Sequence, residues 1–173
     1  MLGGSGWSVP QCNLYLSGSN HRIENLKKYF LIGGLPEAVN RWANERDSGS
    51  IDSILYSIIQ AYEHDFAKHP ELREYPKLMQ IWHSLPSQLA KENKKFFYQL
   101  VRKGAREYED ALQWLVSSRV VTKVSRCTKP ALPLSAFKLY PADVALLRRL
   151  AQLDNSAFLH PSRLFTEFKG AFF

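Results

Sequence analysis

Two tandem glycines, Gly33 and Gly34, followed by Leu35-Pro36-Glu37, interrupt an apolar run that otherwise reads as helix. Glycine pairs ahead of a helix can hold phosphates, because backbone N–H groups converge there. A Walker A loop also needs a lysine and a hydroxyl directly after its glycines, for the phosphates and for magnesium. The stretch GGLPEAV has neither, and it puts Glu37 where an anion would sit. The run GGSGWS at residues 3–8 lacks the lysine too. Gly33, Gly34 and Pro36 therefore read as a hinge, with the glycines ending one helix and Pro36 opening the next.

Other chemistry-bearing residues are sparse. His64, Asp65 and His69 occur in EHDFAKH, and Asp65 and His69, four apart, share a helix face. Two ligands are too few for a metal, and a polar helix end beside Phe66 accounts for them. No Gly-x-Ser-x-Gly or catalytic Cys/His signature occurs. Glu167 and Lys169 have the spacing of a nuclease Glu-x-Lys, but the upstream acids such a site needs are not evident. No catalytic residue, metal ligand or cofactor is expected in this chain.

Charge is the stronger lead. Residues 68–130 hold 13 Lys/Arg against 6 Asp/Glu, while residues 1–67 hold 5 against 7. A local basic block suits a polyanion. Lys91, Lys94, Lys95, Arg102 and Lys103 precede a helix beginning near Arg106. Lys123, Arg126 and Lys129 follow it on a strand and turn. These cations, with Arg106 and Gln113, are the expected contacts to duplex DNA. Glu107, Glu109 and Asp110 on the same helix would repel phosphate, and they suit docking on a protein equally well.

The elements that must position these groups follow from periodicity. Ile23, Leu26, Phe30 and Leu31 predict a short helix over 22–31, and Pro36 with Glu37 opens a second, stopped by RDSGS. Ile51, Ile54, Leu55, Ile58, Ile59, Tyr62 and Phe66 predict a third, with Ser50 as its cap. Leu78, Ile81, Trp82 and Leu85 predict a fourth, broken at Pro86, with Ser87 starting another. The segment KENKKFFYQLVRKGA reads as a link. Tyr108, Ala111, Leu112, Leu115 and Val116 share the next helical face. VVTKVSRCTKP then alternates like a strand, ALPL turns, and SAFKLY returns. Pro141 is expected to open a last helix with Val144, Leu147, Leu150 and Leu153 on one stripe. Helix, turn, helix, strand, turn, strand is the order of a winged helix-turn-helix, in which one helix enters the major groove.

With 173 residues the chain can bury a core, and its aromatic content argues against disorder. No apolar run is long enough for a membrane span, and the N-terminus lacks the pattern of a signal peptide. Cys12 and Cys127 have no metal-type or redox-type spacing, which fits a reduced, cytoplasmic setting.

Six blocks, in order, carry a family resemblance: YFLIGGLPEAV (29–39), AYEHDFAKH (61–69), IWHSLPSQLAKENKKF (81–96), YEDALQWL (108–115), KPALPLSAFKLYPADVALL (129–147) and LFTEFKGA (164–171). Over residues 22–171 the chain resembles a widespread prokaryotic family of AAA-type ATP-binding proteins with a C-terminal domain of unknown function. The resemblance implies a P-loop ATPase domain before residue 1, then a helical part, a winged-helix-like part and the start of a nuclease-like region. ATP and magnesium are implied only for that ATPase domain. Family members usually carry a longer insert where Leu134 is followed closely by Phe137, and residues 1–21 match nothing in the family.

The expected fold is mainly α: a helical bundle-like segment, then a winged helix-turn-helix-like segment with a small β-hairpin. The expected divisions are a loose arm (1–21), a helical segment (22–70), a winged-helix-like domain (71–153) and a truncated C-terminal start (154–173). The expected function is non-catalytic binding of DNA or protein. The alternatives are a surviving part of an ATP-dependent enzyme and an inactive structural remnant. Duplex DNA, an ATPase domain and a second copy joined through Phe165, Phe168, Phe172 and Phe173 are the candidate partners.

Overall fold

The structure, a computed structural model, describes residues 21–22, 24–68, 74–90, 96, 105–125 and 137–155. The protein is mainly helical with a small two-stranded antiparallel sheet. Helix α1 covers residues 24–32. It is followed by α2 (Pro36–Glu45), α3 (Ser48–Ala67) and α4 (Tyr75–Ala90). A 3-10 turn (Ala105–Tyr108) then leads into α5 (Glu109–Ser117), β1 (Val121–Ser125), β2 (Phe137–Pro141) and α6 (Val144–Leu150).

Helix α1 buries Phe30 and Ile32, whereas Leu26 stays exposed, so the face toward the core is rotated from the expected one. Gly33 ends α1 at φ 74, and its N–H donates to the Tyr29 carbonyl at 2.8 Å. Pro36 then occupies the first turn of α2, where its missing N–H costs no helical bond. Helix α2 closes on Arg46 in the left-handed region, φ 51.

Three expectations are corrected at helix ends and breaks. Asp47, not Ser50, caps α3, accepting from the N–H groups of Gly49 (3.3 Å) and Ser50 (2.7 Å). The expected stop at RDSGS holds for α2, which ends at Glu45, and Ser48-Gly49-Ser50 already form the first turn of α3. Helix α4 runs through Pro86 unbroken. The proline is buried between Leu85 and Leu89 on the core side, so packing offsets a lost helical hydrogen bond of the kind that costs about 3 kcal/mol in an exposed helix. Pro141 belongs to β2, and Asp143 is the cap of α6. The buried face of α6 is Ala145, Leu146, Leu147 and Arg148, rather than the expected Val144/Leu147/Leu150 stripe, with Leu153 buried just beyond it.

One buried cluster draws on every part from Ile32 to Leu146. Its centre is aromatic. Phe66 of α3 meets Trp82 of α4 edge-on at 5.8 Å and Trp114 of α5 edge-on at 5.6 Å, and Tyr62 meets Trp82 at 6.2 Å. Such edge-to-face pairs contribute about 1 kcal/mol each beyond the area they bury. Strand β2 alternates, burying Phe137, Leu139 and Pro141, while β1 buries only Val121. The strands pair antiparallel from Val121 opposite Pro141 to Ser125 opposite Phe137. Phe96 joins this edge by donating its N–H to the Phe137 carbonyl and stacking on the Phe137 ring at 5.5 Å.

Candidate interaction surface

Helix α5 is amphipathic, and this decides what it shows. Ala111, Leu112 and Leu115 face the core. Tyr108 is buried, and its hydroxyl donates to Gln80 of α4 at 2.5 Å, which fixes the start of α5 against α4. The opposite side carries Glu109, Asp110 and Gln113, all exposed, with Glu107 exposed in the preceding 3-10 turn. Gln113 donates from Nε2 to Ser117 Oγ at 3.2 Å. Arg106 lies in the 3-10 turn just ahead, and its side chain is outside the described part.

Lys123 is exposed on β1, with Nζ 4.5 Å from the centroid of the Phe137 ring on β2. The contact is a cation–π attraction between the ammonium and the ring face. Lys91, Lys94, Lys95, Arg102, Lys103, Arg126 and Lys129 lie outside the described residues, as do the aromatic tail and both cysteines.

The glycine corner is tied down from a distant part of the chain. Asp143 accepts from Ala145 N–H through Oδ1 at 2.8 Å and from Gly34 N–H through Oδ2 at 2.7 Å. One carboxylate thus caps α6 and holds the joint between α1 and α2. A side chain at position 33 would collide with Asp143 Oδ1 and with Ala145 Cβ. Glycine is needed there for both φ and space.

The group near residue 65 has a local explanation. Asp65 accepts from Lys68 Nζ at 2.8 Å, and that hydrogen bond and charge hold its carboxyl below the ordinary aspartate value. His69 lies outside the described residues, and no group of three or more potential ligands occurs among the described ones.

A buried polar cluster escapes sequence reasoning altogether. Arg148 is 1% exposed, and its guanidinium donates to Asp52 Oδ1 of α3 and to Asn155 Oδ1, each at 2.5 Å. Asn155 closes the ring by donating from Nδ2 to Asp52 Oδ2 at 3.1 Å. The available signal was an arginine pair inside the apolar stripe of LLRRL. Nothing local pointed to residue 52.

These elements define a mainly helical domain completed by one antiparallel strand pair, and among the described residues no helix is long and apolar enough to cross a membrane. Residues 23–157 match the model of a family described as a domain of unknown function (DUF8612), and the chain belongs to that family. Neither a curated protein nor a solved structure matches it.

Proposed function

We propose that the chain is a non-catalytic binding module, the winged-helix-like portion of a protein of the AAA-type ATP-binding class, and that α5 docks on a protein surface. The observation that carries this reading is the outward face of α5 and of the 3-10 turn before it, where Glu107, Glu109 and Asp110 are all exposed beside Gln113. Three carboxylates within one turn oppose entry into a groove walled by phosphates. They complement a basic protein surface and would speed encounter with one. An ATPase domain of the same class is the partner this reading names.

DNA binding is the second reading, favoured by the +7 balance of residues 68–130 and by Lys123 standing exposed on β1. In that case the strand pair and the basic segments carry the phosphate contacts, with α5 turned away from the groove.

A fluorescent duplex titrated at several salt concentrations separates the two. Protein docking expects no saturable binding at low salt. DNA binding expects an affinity that falls steeply with salt, a log–log slope of about −0.9 per phosphate contact, shallower by about one contact in Lys123→Gln. Turnover of ATP by the purified chain would overturn both readings.

A further inference from the structure

Helices α1 and α2 and the start of α3 enclose a crevice of about 230 Å³, bordered by Asn155 from beyond α6. Its walls bring together groups that are unremarkable in sequence. Lys27 and Lys28 come from α1, Arg46 from the left-handed residue after α2, and Trp42 and Leu31 supply the apolar surface. Lys27 is paired with Glu24 at 3.2 Å, and Glu24 also lines the crevice. The side chains of Lys28 and Arg46 have no hydrogen-bond or ion-pair partner among the described residues, the Arg46 backbone N–H donating to the Trp42 carbonyl at 3.1 Å. Three cations against one carboxylate leave a local positive excess in a third of the chain whose balance is negative.

The far wall is braced. Asn155 lines the crevice while its amide is held at both ends, accepting from buried Arg148 and donating to Asp52. A polar group fixed in this way needs no ordering on binding, which favours a specific ligand over a diffuse counterion cloud. Trp42 lines the crevice with aromatic surface against which a ring can pack, and the Lys28 and Arg46 side chains provide charge-assisted donors for an oxyanion.

We propose that this crevice binds a small planar anion: an aromatic ring against Trp42 and Leu31, and a carboxylate or phosphate group between Lys28 and Arg46. This site is separate from the outward face of α5 and does not depend on how that face is used. It also needs no phosphate loop, since side chains rather than backbone N–H groups meet the anion.

The test is a titration of the full chain with adenosine monophosphate and with benzoate, read by tryptophan fluorescence and by thermal shift. Adenosine and inorganic phosphate serve as half-ligands. The expected result is saturable quenching by at least one of the two planar anions, with each half-ligand weaker by about tenfold or more. Preference for the monophosphate assigns a phosphate ligand, and preference for benzoate assigns a carboxylate. The double variant Lys28→Gln/Arg46→Asn should lose about tenfold in affinity with an unchanged melting temperature in the absence of ligand, asparagine being tolerated at positive φ. Trp42→Phe should abolish the quench while leaving a ligand-induced thermal shift. No response to either anion, or equal affinity in the double variant, overturns the proposal.

Discussion

At the scale of single residues, two carboxylates fasten parts of the chain that are about a hundred positions apart. Asp143 caps α6 and holds Gly34 N–H, so Asp143→Ala removes both bonds and should cost about 2 kcal/mol in urea denaturation, twice an ordinary cap. Gly33→Ala should cost more than about 2 kcal/mol, because the left-handed φ and the collision with Asp143 act together. Equal stability in the Gly33→Ala variant would mean that the corner is not built as described. Asp52 and Arg148 should behave asymmetrically. Asp52 is 35% exposed and Arg148 is 1% exposed, so Asp52→Ala leaves a buried guanidinium short of its counter-charge and should cost about 3 kcal/mol. Arg148→Met leaves a carboxylate that water can reach, and its loss should be the smaller of the two. The same denaturation series checks the order.

At the scale of elements, the starts of α3 and α6 are set by aspartates whose side chains reach the free N–H groups, whereas α2 starts on Pro36 with no side-chain cap. Asp47 caps α3, so Asp47→Ala should lower stability by about 1 kcal/mol. Ser50→Ala should change it by less than about 0.5 kcal/mol, since the Ser50 hydroxyl only donates to the Asp47 carbonyl. A reversed order would return the cap to Ser50. The Ala111/Leu112/Leu115 face of α5 and the two strands follow from periodicity and β-branched content. The buried faces of α1 and α6 do not follow from their stripes, because the neighbouring elements choose which side is covered. Pro86 does not break α4, contrary to the expectation from its residue type. Its effect on α4 depends on whether the ring is buried, and burial is a property of α4's neighbours, not of α4.

At the scale of the whole molecule, buried Phe66 and Trp82, with partly buried Trp114 packed against them, join three helices from both sides of residue 70. The described elements should therefore unfold together. Far-ultraviolet circular dichroism and tryptophan fluorescence are expected to give coincident transitions in urea. Two separated transitions would mean that the first three helices and the strand-bearing part are independent units.

Sequence alone determined the helix-rich class, the strand pair after α5, the amphipathic division of α5 and the exclusion of a Walker A loop at Gly33-Gly34. Each of these rests on local spacing or on the chemistry of adjacent residues. Tertiary structure decided the rest: Asp143 on the glycine corner, Arg148 between Asp52 and Asn155, and Lys28, Trp42 and Arg46 around one crevice. Those groups are brought together by packing of distant elements, and no pattern within a single helix records which distant side chain its free groups will meet.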